Sequence, residues 1–163
     1  MIKILDSYFP GVIGKITELH ANYYSKNWGF GLYFESKVAT ELSEFLNRFD
    51  KNSDGIWIAQ ENDQIVGSII IDGNNPDSEG ARLRWFILNP KFQGTGIGNL
   101  LMEKAITFCK EKEHGRVYLW TFAGLDAAKH LYEKYGFKLC KEHQDNQWGK
   151  TVTEQMFELF LEK

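Results

Sequence analysis

The run from Arg82 to Leu101 carries the strongest structural signal in this chain. A β-type apolar segment ends at Pro90, three alternating glycines follow, and an amphipathic helical pattern then begins. A strand that passes through a glycine-rich turn into a helix leaves several backbone N–H groups unpaired at the positive end of the helix dipole. This arrangement favours an anion, and phosphate is its usual occupant. The sequence therefore predicts a phosphate-binding turn in the middle of the chain.

The spacing of the glycines narrows the kind of phosphate site. A P-loop requires Lys-Ser/Thr after its last glycine, and a dinucleotide fingerprint requires a glycine where this chain has Asn99. The segment Gln93-Gly94-Thr95-Gly96-Ile97-Gly98 instead resembles the pyrophosphate loop of the GNAT family of N-acetyltransferases. A glycine-rich connection that binds no ligand is the alternative at this point.

The order of predicted elements is β-α-α-β-β-β-α-β-α-β-β. It indicates an α/β fold with a mixed central sheet covered on both faces. The resemblance to the GNAT family implies the GNAT fold, in which the mixed sheet is mostly antiparallel and is flanked by about four helices. We expect one domain over residues 1–163, with a loop at 72–80. The predicted strands are Ile2 to Leu5, Ile56 to Gln60, Ile65 to Ile71, Ala81 to Leu88, Val117 to Thr121, Phe137 to Lys141 and Val152 to Leu161. Helices are predicted from Gly11 to the breaking loop Trp28-Gly29-Phe30-Gly31, from about Leu32 to Phe49, after the glycines, and around Ala127 to Tyr135.

A second motif strengthens the resemblance to the GNAT family. The segment Leu131-Tyr132-Glu133-Lys134-Tyr135-Gly136-Phe137 is similar to the family's Leu-Tyr-x-x-x-Gly-Phe, which ends its last helix. The N-terminal part, with His20, Tyr24, Trp28-Gly29-Phe30 and Phe34-Glu35, resembles the GNAT half of proteins that fuse a MarR-type DNA-binding domain to an acetyltransferase. The chain has no room for a MarR half, so it looks like a stand-alone relative.

Composition and charge exclude several other classes of protein. The formal net charge of −3 argues against nucleic-acid binding, and no apolar run is long enough to cross a membrane. The N-terminus lacks the pattern of a signal peptide. Cys109 and Cys140 have neither CxxC nor metal-ligand spacing, so we expect no metal site, reduced thiols and a cytoplasmic location.

The resemblance implies that acetyl-CoA is the cofactor. Its pyrophosphate would lie on the glycine loop, and its pantetheine arm would pair with the main chain of the preceding strand. The implied cofactor-binding residues are Phe86, Ile87, Leu88, Gln93, Gly94, Thr95, Gly96, Ile97, Gly98 and Asn99. One departure is Leu125, which stands where family members often carry an asparagine that bonds the pantetheine arm.

By the same resemblance, Tyr132 is the general acid that protonates the leaving thiolate. The alternative is a core tyrosine, because Tyr132 lies on the apolar stripe of its helix, where a tyrosine is usually part of the core. Many family members carry a catalytic carboxylate on the strand before the glycine loop, but this strand offers only Arg82 and Arg84. Candidate general bases are therefore Glu35 and His20, with a water chain to bulk solvent as a third option.

The acceptor site is suggested by one arginine and several aromatic residues. Arg84 alternates into a central strand, where it either binds a carboxylate of the acceptor or forms an internal ion pair with a sheet neighbour. Candidate substrate-binding residues are Trp28, Phe30, Arg84 and Trp120, and Trp148 could cover the cleft.

These patterns predict an acyltransferase that moves an acetyl group directly from acetyl-CoA to a primary amine, without a covalent enzyme intermediate. The acceptor is a small molecule, such as an amino-acid-like amine, or a protein or peptide amine. The expected partners include neither nucleic acid nor membrane, and a homodimer is left open. The alternative is a non-catalytic acyl-CoA-binding sensor or regulatory domain of the same fold.

Overall fold

A computed structural model describes residues 1–74 and 80–162 of the chain. Seven strands form one sheet in the order β1-β2-β3-β4-β5-β7-β6, and every neighbouring pair is antiparallel except β4 and β5. The strands are β1 (Ile2–Leu5), β2 (Gly55–Glu61), β3 (Gln64–Asp72), β4 (Ala81–Leu88), β5 (Arg116–Phe122), β6 (Lys138–Asp145) and β7 (Val152–Phe160).

Four α-helices cover the two faces of this sheet. They are α1 (Val12–Trp28), α2 (Leu32–Asn47), α3 (Ile97–Glu111) and α4 (Asp126–Lys134), and a short 3-10 turn at Pro90–Phe92 precedes the glycine loop. The predicted fold class and element order are thus confirmed. None of the helices in the described residues is long and apolar enough to span a membrane.

The hydrophobic core is divided by the sheet. One cluster lies between the sheet and α3, with Leu101, Met102 and Ala105 fully buried. A second lies under α1 and α2 around Ile16 and Leu42, because the strands alternate their apolar side chains between the two faces. A third cluster, the aromatic cluster, gathers Phe30, Phe34, Val38 and Phe122, with Trp28 and Trp148 packed against it.

Most element boundaries agree with the sequence, and the exceptions have a physical cause. The prediction ended β6 at Lys141, whereas the strand runs to Asp145. Every residue of β6 is exposed, so its polar second half carries no alternation, and only pairing with β7 extends it. The prediction of α2 to Phe49 is two residues too long. The loop predicted at 72–80 falls partly outside the described residues, and its first residue, Asp72, belongs to β3 because it pairs with Arg82.

The end of α4 is fixed by Gly136. This residue has φ +94°, and the N–H groups of Gly136 and Phe137 donate to the carbonyls of Glu133 and Tyr132 at 3.0 Å each. These two bonds form a Schellman motif, which requires the left-handed conformation at the glycine. The motif ends α4 at Lys134, two residues after Tyr132, with Tyr135 as the C-cap residue.

We expect Gly136→Ala to destabilise the protein by about 1–2 kcal/mol, because an L-residue pays that amount in the left-handed region. A Cβ at this position would also lie 3.3 Å from Leu159 Cδ1. The matched control is Gly14→Ala in the exposed first turn of α1, where a Cβ meets no atom within 4 Å and alanine should add about 0.5–1 kcal/mol. Urea unfolding of both variants measures the difference, and equal shifts would contradict the assignment of the motif.

Candidate active site

A cleft opens in the sheet where β4 and β5 separate. These parallel strands pair only at Ala81 with Val117 and at Arg82 with Tyr118. Beyond that point β4 contains a bulge, at which Trp85 takes φ +47° and the register with β3 shifts between Ser68 and Ile70. The Ser68 hydroxyl donates to the Trp85 carbonyl at 2.8 Å and holds the bulge. The second half of β4 therefore has no strand partner on its β5 side.

One side of the cleft is a groove of about 600 Å³, here called the cofactor groove. It runs from the free edge of β4 to the start of α4. Of the ten predicted cofactor-binding residues, eight line it: Phe86, Ile87, Leu88, Gln93, Gly94, Gly96, Gly98 and Asn99. Thr95 and Ile97 do not, because Thr95 is exposed and its hydroxyl donates to the Phe92 carbonyl, while Ile97 points into the core.

The glycine loop fits an anion. Gly94 and Gly96 have φ values of +79° and +89°, so the turn requires glycine at both positions, and a Cβ built on either would meet only open space. Gly96 is the N-cap of α3, and no side chain caps the helix or places a carboxylate in its first turn. The first N–H groups of α3 and its positive dipole end are thus available for the pyrophosphate of a CoA molecule.

The mouth of this groove is tied to α4. Lys134 Nζ donates to the Asn99 side-chain oxygen at 2.7 Å, and the Tyr135 hydroxyl donates to the Asn99 carbonyl at 3.1 Å. These bonds hold the first turn of α3 against the last turn of α4. Leu125, whose position raised doubt about pantetheine recognition, lines the groove at the N-cap of α4.

The other side of the cleft is a smaller cavity of about 120 Å³, here called the acceptor cavity. Helices α1 and α2, β4, β5 and the β6–β7 loop form its walls. It shares four lining residues with the cofactor groove: Tyr24, Phe86, Thr121 and Tyr132. A reacting group in one compartment therefore meets a group in the other at these residues.

Tyr132 lies at this junction and is 6% exposed. Its ring packs against Phe86, Phe137 and Phe157 at centroid distances of 6.2, 6.0 and 5.9 Å. Burial raises the pKa of its phenol, so the group stays protonated at neutral pH. The core position and the position beside the cleft, which the sequence posed as alternatives, both apply to this residue.

Tyr24 is a junction residue for which sequence reasoning proposed no role. Burial first, and then the nearby Tyr132 and Tyr23, raise the pKa of its phenol. Its ring packs on Phe30 at 5.9 Å and on Phe34 at 5.1 Å. The His20–Tyr24 spacing of four residues was the available signal, because it places both side chains on one helix face.

The two candidate bases occupy different environments. His20 lines the acceptor cavity, and its Nδ1 donates to the Ile16 carbonyl at 2.8 Å, which leaves Nε2 as the acceptor nitrogen. Burial lowers its pKa to about 4, so the imidazole is neutral at physiological pH but is a weak base. Glu35 is exposed in the first turn of α2 and lines neither compartment.

Arg84 is neutralised by internal partners. Its guanidinium lies 2.5 Å from Glu41 of α2 and 3.4 Å from Asp72 of β3, and it stacks over the Trp85 ring at 4.0 Å. Lys37 also pairs with Glu41, at 2.8 Å. The ion-pair alternative considered from the sequence is therefore present, with a sheet neighbour and a helix residue as partners.

Of the aromatic residues predicted to bind the acceptor, one lines the acceptor cavity and two pack in the aromatic cluster beside it. Trp120 lines the acceptor cavity, as do Trp85 and Trp148. Trp28 and Phe30 do not line it; they belong to the aromatic cluster, where Trp28 packs edge-on against Phe122 at 4.8 Å. Trp148 lies 5.3 Å from the same ring, so the β6–β7 loop closes one side of the cavity.

One group in the described residues could ligate a metal, although none was predicted. The ligand atoms of His143, Asp145 and Glu154 lie within 4.8 Å of one another, on β6 and β7. His143 Nε2 is 3.6 Å from Asp145 and 3.8 Å from Glu154, so an ordinary ion-pair cluster also accounts for the arrangement. These three residues are not lining residues of either compartment.

Comparison with known proteins identifies similar sequences and folds. The sequence profile of the acetyltransferase (GNAT) family matches residues 14–137. An uncharacterized N-acetyltransferase of Methanocaldococcus jannaschii is 28% identical over 120 residues, which are 71% of this chain and 53% of the relative. The N-acetylaspartate synthetase of Danio rerio is 28% identical over 77% of this chain and 44% of its own length. The chain thus spans about half the length of these two relatives.

Other similar proteins are matched over most of their length. The peptidyl-lysine N-acetyltransferase YjaB of Escherichia coli is 26% identical over 72% of each chain. A GNAT-family acetyltransferase structure from Staphylococcus aureus Mu50 has a TM-score of 0.78 at 20% identity and covers 99% of this chain and 100% of its own. A Salmonella typhimurium structure of the acetyltransferase class, solved with acetyl-CoA, has a TM-score of 0.77 at 15% identity and covers 99% and 95%.

The low pKa of His20 predicts a pH dependence of stability. Because the unfolded chain binds this proton near pH 6.5 and the folded chain only near pH 4, stability is fully present above pH 6.5 and falls as the pH drops towards 4. The loss should amount to about 3 kcal/mol over this window. Urea unfolding between pH 4 and pH 7 should give a shallower slope for His20→Phe than for the wild type, and parallel slopes would contradict the assignment.

Proposed function

Since this chain belongs to the acetyltransferase (GNAT) family, we propose that it transfers an acetyl group from acetyl-CoA directly to a primary amine. The observation that carries the proposal is the junction between two compartments. A groove with an uncapped helix N-terminus at one end meets, at Tyr24 and Tyr132, a smaller cavity suited to an acceptor. The acceptor is a small, amino-acid-like amine or an amine of a protein.

The names of the relatives divide between these acceptors. N-acetylaspartate is an N-acetylated amino acid, whereas peptidyl-lysine is a protein side chain. The acceptor cavity of about 120 Å³ is comparable to cavities that hold a six-membered carbon ring, which favours a small molecule or one inserted side chain.

Acetyl-CoA would supply an activated acetyl thioester. In this proposal the N–H groups of the glycine loop bind the pyrophosphate, and the free edge of β4 at Phe86–Leu88 pairs with the pantetheine arm as another strand would. A main-chain N–H of this edge polarises the thioester carbonyl. Neither role depends on side-chain chemistry, so Leu125 does not obstruct them.

The transfer itself requires one bond to form and one to break. The neutral amine nitrogen bonds to the carbonyl carbon, the carbon–sulfur bond breaks, the amine gives up one proton, and the leaving thiolate takes up another. We assign the second proton to the Tyr132 phenol, which burial keeps protonated. The first leaves through His20 or through water, because Glu35 is exposed outside the cavity.

The cysteines support direct transfer. Cys109 is fully buried in the core, where burial raises its pKa to about 12, and Cys140 is exposed on β6. Neither lines the cofactor groove or the acceptor cavity, so no thiol among them is placed to carry the acetyl group.

Gly98→Asp should weaken acetyl-CoA binding at least about tenfold, because it places a negative charge where the pyrophosphate is proposed to bind. The fold should tolerate it: Gly98 has an ordinary helical conformation, and a Cβ there makes only van der Waals contacts at 3.6 Å and 3.8 Å. Isothermal titration with acetyl-CoA and CoA measures the effect. Gly98→Ala adds a side chain without a charge, so it shows how much of the loss in affinity comes from side-chain volume alone.

The matched control is Gly14→Asp, which adds the same charge to the first turn of α1, a turn that likewise has no acidic residue. Its affinity for acetyl-CoA should equal that of the wild type. No binding by the wild type, or equal losses in both aspartate variants, would overturn the proposed cofactor site.

Tyr132→Phe should lower kcat by about 10²- to 10⁴-fold and leave acetyl-CoA affinity unchanged, because it removes only the proton donor. Tyr24→Phe is the control, since that phenol lines the same junction. Thiol release during turnover measures kcat for both variants, and isothermal titration measures their acetyl-CoA affinity. A larger loss in Tyr24→Phe would transfer the acid role to Tyr24. Tight acetyl-CoA binding without turnover on any amine would favour the acyl-CoA sensor instead.

A further inference from the structure

Arg82 is an arginine in the wall of the acceptor cavity for which the described residues offer no hydrogen-bond or ion-pair partner. We propose that Arg82 binds a carboxylate of the acceptor, so that the enzyme acetylates free amino acids in preference to amines that carry no carboxylate. This inference rests on the proposed acetyl transfer and names the chemical class of its acceptor.

The position of Arg82 is set by the sheet. It is the last β4 residue paired with β5, opposite Tyr118, and it faces Asp72 across the β3–β4 ladder. Strand alternation puts its side chain on the same face as Arg84, towards α1 and α2. Arg82 therefore lies where the cleft begins to open, at the end of the acceptor cavity away from the free edge of β4.

The neighbouring charges balance without Arg82. Lys37, Arg48 and Arg84 are cations, and Glu41, Asp54 and Asp72 are the anions that they contact. Glu41 forms ion pairs with Lys37 at 2.8 Å and with Arg84 at 2.5 Å. Asp72 forms ion pairs with Arg48 at 2.7 Å and with Arg84 at 3.4 Å. Asp54 lies 3.7 Å from Arg48. Among the described residues, Arg82 is the remaining cation of this group, which therefore carries one excess positive charge.

The excess charge is partly desolvated. The Nε of Arg82 is buried without a hydrogen-bond partner in the described part of the chain. Burial, followed by repulsion from Arg84, lowers the pKa of its guanidinium to about 10, so it remains charged at neutral pH. A charge in this environment is costly unless an anion pairs with it, and the open side of Arg82 is the cavity.

The ligand chemistry follows from the charge and the shape. A guanidinium binds a carboxylate through two parallel N–H···O bonds. One excess charge matches a carboxylate, whereas a phosphate monoester carries about −1.5 to −2 at pH 7. With the carboxylate on Arg82, the amine points towards the junction at Tyr24 and Tyr132, where the thioester is proposed to lie.

The competing arrangement is an internal pair between Arg82 and Asp72. Asp72 has one oxygen, Oδ1, that is also buried and unpartnered among the described residues. Its other oxygen already receives Arg48 and Arg84. If Arg82 served mainly to neutralise Asp72, removing it would destabilise the fold. If Arg82 awaits a ligand, removing it relieves an uncompensated charge.

The decisive experiment compares free amino acids with their amides. The set consists of L-aspartate, L-asparagine, L-aspartic acid α-amide and, for a neutral side chain, L-alanine and L-alaninamide, with phosphoethanolamine as the phosphate arm. At neutral pH a larger fraction of the α-amine is neutral in an amide than in the acid, so a preference for the acids must come from the site. For at least one acid–amide pair, the wild type should favour the acid by at least about tenfold in kcat/KM.

Arg82→Met keeps the apolar stem and removes the charge. It should raise KM for the preferred acid at least about 30-fold and abolish the acid–amide preference. Turnover of the amide, acetyl-CoA affinity and the melting temperature should not fall. The control Lys15→Met removes a cation of similar burial that pairs with Glu18 at 2.9 Å and lines neither compartment, so it should leave the preference intact.

Three outcomes would overturn the inference. The wild type could prefer amides or phosphoethanolamine, Arg82→Met could retain the acid–amide preference, or Arg82→Met could lose the preference together with a fall in its melting temperature. Acetyl-CoA binding and turnover of amides would survive all three. Failure of the proposed acetyl transfer, by contrast, would appear as no turnover on any amine.

Discussion

The separation of β4 from β5 is the constraint on which the site depends. Two residue pairs, Ala81 with Val117 and Arg82 with Tyr118, hold the strands together, and β4 bulges beyond them at Trp85. A positive φ at tryptophan is unfavourable, so the surrounding contacts must hold it there. The Ser68 hydroxyl of β3 holds the Trp85 carbonyl by a hydrogen bond, and the Arg84 guanidinium stacks on the indole. Without this separation, β4 and β5 would continue their ladder and neither compartment would exist.

The two compartments differ in how they are built. The cofactor groove is made of main-chain groups and small residues, because a strand edge and a helix N-terminus both present N–H groups. The acceptor cavity is made of side chains from α1, α2, β4, β5 and the β6–β7 loop. The first can bind the same ligand in many sequences of one fold, while the second changes with every substitution in its walls.

Where the sequence signal of a residue is weak, its role depends on the contacts that the fold gives it. Glu35 and His20 were both candidate bases, yet packing of α1 buries His20 in the cavity, whereas Glu35 is exposed to solvent. Arg82 and Arg84 are two residues apart on one face of β4, and no pattern distinguishes them. The placement of Glu41 and Asp72 gives Arg84 its ion pairs, whereas Arg82 has no such partner among the described residues.

The sequence by itself determined the order of the elements, the glycine loop and the Tyr132 motif, because periodicity, turn residues and caps are local and are written in neighbouring residues. The tertiary structure alone decided where β4 leaves β5, which aromatic residues form the cavity wall, and which arginine lacks a partner within residues 1–74 and 80–162. These properties depend on contacts between segments far apart in the chain, such as Arg84 with Glu41 and Trp148 with Phe122. The free energy of such contacts is set by burial and charge balance, and no local spacing records either.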